Sequence, residues 1–490
     1  MRREGIIGSI LTILFLVAAT VTIVRNGQPI VVKRTVAKTI VPATSSSLTS
    51  VPMPSQLPEA SLPVPSASLA EAGVRAPTQP KADLQRPLRV AALGWEAAAP
   101  VLLANRGYKP TPQSLFSSRG VNVAVKIADG LSEVEKQIAR GGQEETGCDL
   151  AVVPLAAVAG GYERTRALGL AVIYTTAWSR GREGFLLGKH DNLFEGSADE
   201  AKMFVSGGDV ATALALFVAD AEGLTLNKVR QTPLLKNAEF GVQSRPFTAL
   251  MSAEGPNRLV FTTVEAARWA PWVVVAQRAF VDQHPRTIAL WLEGLSAGLS
   301  DLAKDIPLAA RTLASLDGTV ETASLIERFG YMRYATLADN VRLFEVGAPF
   351  GASLRALGLR LFDLFHGVGT LGVAAPEHDW LDGSYVLTMS QNSPPEPSDE
   401  RFDVVSIAEA KHAFYMRFSN KVSDDALISE VGLLGEVFPR ARFKIGVKKG
   451  TSQKKITERA RDLYGVDPSR FASGEVADRA SASIEVLVPH

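Results

Sequence analysis

Between Arg86 and Met389, short apolar stretches alternate with stretches of helical spacing, and that rhythm constrains the fold more than any single motif. Residues 88–93 read as a buried strand ending at Gly94, and 121–127 as a second, followed by helical spacing over 132–140. Residues 149–154 and 171–174 give a third and a fourth strand. Residues 202–206 then repeat the pattern, with 210–221 as the helix that follows. A strand–helix alternation of this kind predicts parallel sheets covered by helices, because each apolar strand must be buried on both faces. Two runs of it predict two α/β lobes. After Pro285 the pattern turns helical, with apolar stripes over 286–302, 307–316 and 320–329.

The flanking sequence divides the chain. At 490 residues it is too long for one core. A basic flank, 1–4, precedes an uncharged and mostly apolar run at 5–24, just long enough to cross a bilayer as a helix. Two readings stand: an uncleaved anchor, or a signal peptide cut after Val17-Ala18-Ala19. The apolar run continues past that point to Val24, which favours the anchor. Arg25, Lys33, Arg34 and Lys38 outnumber Arg2 and Arg3, so charge bias alone would keep the bulk of the chain inside. No lipobox cysteine follows the run, which argues against a lipoprotein. Residues 25–85 form a linker whose Ser, Pro, Ala and Thr content over 41–85 cannot build a core and keeps it extended. The α/β domain spans 86–389, with lobe 1 at 86–188 and 275–389 and lobe 2 at 189–274. A second linker, 390–402, leads to a C-terminal α+β domain at 403–490.

Composition removes several functions. A net charge of +1 leaves no electrostatic footprint for nucleic acid. Cys148 is the single cysteine, so there is no intramolecular disulfide, and it reads as a small buried hydrophobe. The six histidines are not closely paired, and no metal site or cofactor is expected. No Gly-x-Ser-x-Gly elbow follows a strand, and no enzyme is indicated.

The order of segments in the middle domain resembles periplasmic solute-binding proteins of the aliphatic-sulfonate, nitrate and taurine type. The resemblance covers about three hundred residues and rests on order rather than one sharp motif. It is carried by Leu93-Gly94-Trp95-Glu96, by 147–155, by Trp178-Ser179-Arg180-Gly181 and by Phe204-Val205-Ser206-Gly207-Gly208. Residues 259–263, 273–276, 279–285 and the Asp339-Asn340 turn at 334–340 continue it. It implies a two-lobed fold with hinges near Lys189 and Val274, closing on a small anion of the sulfonate, phosphate, nitrate or carboxylate class. A branch of that fold used in thiamine formation carries a cysteine-rich motif, which the single cysteine here argues against.

Ligands in open α/β sheets sit beyond the carboxyl ends of the strands. The loops after Leu93, Pro154, Tyr174, Val205 and Phe261 should therefore face one cleft. Candidate ligand-binding residues are Trp95, Glu96, Pro154, Leu155, Trp178, Ser179, Arg180, Ser206, Gly207, Gly208, Thr262 and Thr263. Ser206-Gly207-Gly208 before a helix offers N–H groups to an anion. Arg180 or Arg182 offers a forked guanidinium, and Trp95 and Trp178 would wall the cleft. Plainer readings stand beside these: Gly-Gly as a turn, Trp as packing, Arg as a solvated loop residue. Trp269-Ala270-Pro271-Trp272 reads as packing between lobes.

The last ninety or so residues read strand, helix, strand, helix, loop, strand: 414–418, 423–437, 441–447, the helix with Ile456-Thr457-Glu458-Arg459-Ala460, Gly465-Val466-Asp467-Pro468-Ser469-Arg470, and 482–488. This resembles the OmpA-like peptidoglycan-associated domain. In that family an Arg and an Asp hold the wall peptide's diaminopimelate; Arg459 matches the first, but the stretch that should carry the Asp is short and reads Lys448-Lys449 to Lys454-Lys455. Without the carboxylate the ligand's ammonium lacks a partner. The resemblance thus implies the fold, with peptidoglycan binding weak or lost, Arg459 serving as a salt-bridge residue or the lysines meeting an anionic partner instead.

Two functions follow as expectations. The first is an inner-membrane-anchored solute-binding protein facing the periplasm, of the type that serves ABC transporters. The second is a ligandless scaffold or receptor subunit of an envelope assembly. Partners under the first are a small anion and a membrane transporter or envelope protein.

Overall fold

The computed structural model of the chain describes residues 84–187, 201–234, 237–245, 258–346, 353–395, 410–417, 423–446, 452–472 and 483–489. The apolar run 5–24, residues 25–83 of the first linker, Lys189, Lys448 and Lys449 lie outside these residues. Among the described residues no helix is long and apolar enough to cross a membrane.

The strands follow the chain as β1 Leu88–Leu93, β2 Val123–Ala128, β3 Leu150–Pro154, β4 Leu170–Ser179, β5 Glu183–Leu187, β6 Ala201–Ser206 and β7 Val229–Gln231. They continue as β8 Phe240–Ser244, β9 Arg258–Thr262, β10 Pro271–Gln277, β11 Met332–Tyr334, β12 Ala410–Arg417, β13 Arg442–Gly446 and β14 Ser483–Pro489. The central strands of the first sheet are apolar on both faces; β3, Leu-Ala-Val-Val-Pro, is buried throughout. Such strands must lie between helical layers.

Among the described residues the strands form three sheets. The first has the order β11-β4-β10-β3-β1-β2, and the second β7-β6-β8-β5-β9. The chain leaves the first sheet after Ser179, enters the second at Glu183, leaves it after Thr262 and re-enters the first at Pro271. The sheets are mixed rather than wholly parallel. β1 runs parallel to β2 and β3, but β10 runs antiparallel to both β3 and β4. Likewise β6 is parallel to β7 and β8, while β5 is antiparallel to β8 and β9. Each reversed strand enters its sheet at the carboxyl end of its neighbours, straight from the other sheet, and so must run against them.

Helices Gly94–Asn105, Leu131–Arg140 and Leu155–Gly160 follow β1, β2 and β3. Helix Asp209–Ala221 follows β6; Val210, Ala211 and Ala213–Ala219 within it are all buried. Helices Pro285–Lys304, Ile306–Asp317 and Thr322–Gly330 bear out the helical reading after Pro285.

The C-terminal segment folds as β12, helix Asp424–Val437, β13, helix Gln453–Tyr464 and β14, with sheet order β12-β14-β13. This is the element order read from the sequence. Arg470 is buried there, donating from Nε to Ala441 O at 3.0 Å, from Nη1 to Gly435 O at 2.9 Å and from Nη2 to Phe438 O at 2.6 Å. Three carbonyls thus satisfy one guanidinium, although burial still lowers its pKa to about 10.

Candidate functional site

Where the chain crosses between the two sheets, a cavity of about 270 Å³ lies beyond the carboxyl ends of β1, β2, β3 and β6. Its size is at the lower edge of the range for small-molecule pockets. Leu93, Gly94 and Glu96 line it after β1, Asp129 and Gly130 after β2, Pro154 and Ala157 after β3, and Gly207, Gly208 and Asp209 after β6. Arg182 and Glu183 come from the outgoing crossing, Trp272 from the returning strand, and Arg328 from helix Thr322–Gly330.

Glu96 is the hub. It sits in the first turn of its helix, where a negative charge meets the positive end of the helix dipole. The preceding Gly94 has φ of 75°, which lets the chain turn sharply from β1 into that helix. Arg328 grips Glu96 with two bonds, Nε to Oε1 at 3.1 Å and Nη2 to Oε2 at 3.0 Å. Arg182 approaches the same carboxylate from the crossing, with Nη1 at 3.5 Å from Oε1, and its guanidinium lies 5.7 Å from the Trp272 ring centre. One buried carboxylate is therefore shared by two cations.

Glu183 is buried at the start of β5. Burial pushes its carboxyl above the ordinary range, and Arg182, Ser179 and Thr263 offset part of that. Asp209 opens helix Asp209–Ala221; burial raises its pKa, Arg164 pulls it down and Glu135 pushes it up. A Cβ on Gly160 would stand 3.1 Å from an Asp209 carboxylate oxygen, so the bare glycine lets the lobes approach there. Among the described residues no group of His, Cys, Asp and Glu is placed to hold a metal ion.

The residues nominated from the sequence divide into two sets. Glu96, Pro154, Gly207 and Gly208 line the cavity, and so does Arg182, the alternative to Arg180. The others do not. Trp178 is fully buried in β4 with the Arg333 guanidinium 5.0 Å over its ring, and Trp95, Leu155 and Ser179 are also buried. Arg180 donates its N–H to Tyr331 O at 2.8 Å. Ser206 is exposed and outside the lining. The Thr262 N–H and hydroxyl both donate to Glu265 Oε2, at 2.8 and 2.9 Å. The Thr263 hydroxyl oxygen accepts N–H groups from Gly181 at 2.8 Å and Arg182 at 3.1 Å, which fixes the crossing rather than facing the cavity.

Asp129, Glu183, Asp209, Trp272 and Arg328 were not nominated. Asp129-Gly130 follows a strand read correctly from the sequence, and the rule that selected the other loops applies equally to it. Glu183 is a charge opening an apolar run, a second usable signal. Arg328 lies on a helix far along the chain, and no local pattern points to it.

In the C-terminal segment Arg459 is half-exposed and pairs with Asp425 at 3.0 Å. Lys455 pairs with Asp424 at 3.2 Å, and Lys454 with Glu458 at 3.8 Å.

No protein-family model matches the chain. No curated protein matches it either. Among solved structures it is similar to the alkanesulfonate-binding protein SsuA from Xanthomonas axonopodis pv. citri bound to MOPS, at 13% identity over 61% of this chain and 98% of that one, with a TM-score of 0.43. The periplasmic aliphatic sulphonate-binding protein SsuA from Escherichia coli is 12% identical over 66% of this chain and 96% of its own, with a TM-score of 0.43. The periplasmic nitrate-binding protein NrtA from Synechocystis PCC 6803 is 12% identical over 64% and 90%, with a TM-score of 0.44.

Proposed function

We propose that the chain is an envelope-anchored, two-lobed receptor that holds a small solute between its α/β lobes and passes it to a membrane transporter. The C-terminal α+β module would serve envelope attachment. One observation carries this reading: a cavity of about 270 Å³, lined by charged groups and glycine turns from both sheets, lies where the chain crosses between them. Packing alone would fill such a space with apolar side chains. The periplasmic address and the anchor rest on the apolar run 5–24 and on the resemblances read from the sequence. No catalytic role is proposed: Glu96 is held by two bonds from Arg328 and approached by Arg182.

A second reading, a scaffold that does not open, is favoured by the contacts of the C-terminal module. Its Glu436 pairs with Arg268 on the return segment at 2.7 Å and also with Arg342 on helix Leu337–Leu343 beside the first sheet. Thermal unfolding of the full chain against sulfonates, phosphate, nitrate, carboxylates and amines separates the two readings. Binding at a hundredfold excess over Kd adds about 2.7 kcal/mol of stability. A rise in Tm with one chemical class, lost in Arg182→Ala for an anion or in Asp209→Asn for an amine, supports the receptor; a Tm unmoved by every class supports the scaffold.

A further inference from the structure

The balance of charge around the cavity bears on what it can hold. Two guanidiniums, Arg182 and Arg328, meet four carboxylates, Glu96, Asp129, Glu183 and Asp209. Arg328 is committed to Glu96 through two bonds at 3.1 and 3.0 Å, while Arg182 is shared between Glu96 at 3.5 Å and Glu183 at 3.8 Å, its Nη1 making no hydrogen bond among the described residues. A nitrate or sulfonate entering here could reach Arg182, but it would compete with Glu96 for that guanidinium while facing the other three carboxylates, a like-charge arrangement at short range. The helix end at Asp209–Ala221 offers it little, because Asp209 itself occupies the first turn where an anion would be cradled.

A second, independent feature points to a ligand. The Trp272 indole lines the cavity and is only 3% exposed, yet its Nε1–H has no acceptor among the described residues. A buried donor left unpaired is costly, and an occupant carrying an acceptor would satisfy it. Carboxylates in excess ask for a cation, and the indole asks for an oxygen.

We propose that the cavity takes a small organic cation bearing a hydrogen-bond-accepting oxygen, such as an amino alcohol or an amino amide. Its ammonium would sit among Asp129, Glu183 and Asp209, and its oxygen would accept the Trp272 N–H. The proposal rests on the receptor reading of this same cavity and differs from the anion that the sequence resemblance implies.

The test uses the full chain with ethanolamine and glycinamide, which carry both groups; ethylammonium, a cation without oxygen; isethionate, an anion; and taurine, a zwitterion. Ethanolamine or glycinamide should raise the Tm, ethylammonium should bind at least tenfold more weakly, and isethionate should leave the Tm unchanged. Trp272→Phe should erase the difference between ethanolamine and ethylammonium. Asp209→Asn should weaken both at least tenfold. Asp129→Asn, at an exposed position, keeps the test open if Asp209→Asn does not fold. Stabilisation by isethionate or taurine but not by the amines overturns the cation and leaves the receptor standing. A chain stabilised by none of the probes overturns the proposal and the receptor reading together.

Discussion

Asn340 does the work of a strand. Its Oδ1 accepts the Thr175 N–H at 2.7 Å, and its Nδ2 donates to Thr175 O and Thr336 O, each at 3.0 Å, so one side chain continues the edge of β4 beyond β11. Asn340→Leu fits the space but leaves those buried groups unpaired, and should lower stability by about 3 kcal/mol in urea unfolding; a change under about 1 kcal/mol would refute the role. Asp339 beside it closes a capping box with Thr336 and pairs with Arg333 at 3.1 Å. Burial alone would raise its pKa, but the Arg333 charge and the Thr336 bonds outweigh burial and hold it below the ordinary value. A lowered folded-state pKa contributes stability that is present above the unfolded value of about 3.9 and lost as pH falls through the folded one. Asp339→Asn should therefore cost about 1–2 kcal/mol at pH 7, and the gap from wild type should narrow below pH 4. A gap that stays constant with pH would assign the effect to shape alone. The sequence marked Asp339-Asn340 as a turn, whereas the pair lies in helix Leu337–Leu343, and the role of Asn340 was not legible because the Thr175 groups it satisfies lie 165 residues earlier. Trp95 and Trp178 show the converse. Their positions near strand ends suggested a cleft wall, yet a large apolar ring there can turn equally well into the core, and both did.

At the scale of elements, close approach is bought by glycine. A Cβ on Gly298, in helix Pro285–Lys304, would stand 2.2 Å from Pro100 O and 3.0 Å from the Ala104 Cβ of helix Gly94–Asn105. The two helices pack against each other at that point, and backbone rather than a movable side chain is in the way. Gly298→Ala should separate them at a cost of about 1–3 kcal/mol, read as a lower urea midpoint. A Cβ on Gly330 would meet nothing within 4 Å among the described residues, and its φ is ordinary, so Gly330→Ala should be neutral or slightly stabilising. Equal losses at both sites would refute the packing account. Elements with strong periodicity, β1, β3, helix Asp209–Ala221 and the helices after Pro285, were legible in the sequence. Strands β5 and β8 were not. Each is five residues long, and its apolar run gains meaning only from the pairing between them. Their directions were also beyond reach, since antiparallel β5 and β10 follow from where the chain crosses, which no local pattern records.

For the whole molecule, the decisive question is whether the lobes can part. Helix Asp209–Ala221 of the second lobe is buried against helices Leu155–Gly160 and Leu354–Gly367 of the first. The C-terminal module closes over the same junction. Phe438 lies edge-on to Phe261 at 5.6 Å and 6.3 Å from Phe217, which packs on Trp269 at 4.5 Å. Arg360 on helix Leu354–Gly367 reaches Asp220 at 2.6 Å and Glu430 at 3.9 Å, while Glu436 joins Arg268 and Arg342. Three parts of the chain thus meet through ion pairs that are mostly buried, and removing one partner from such a pair leaves a charge without compensation. The double substitution Glu430→Gln with Glu436→Gln should cost the junction about 3 kcal/mol, so that amides of helix Asp209–Ala221 exchange roughly a hundredfold faster. Exchange in helix Pro285–Lys304, away from the junction, should stay unchanged. If the helix keeps its protection, the module is a passenger and the lobes are held by their own contacts. If protection falls and solute affinity changes with it, the C-terminal module sets how readily the receptor opens, and the receptor and scaffold readings become two states of one molecule.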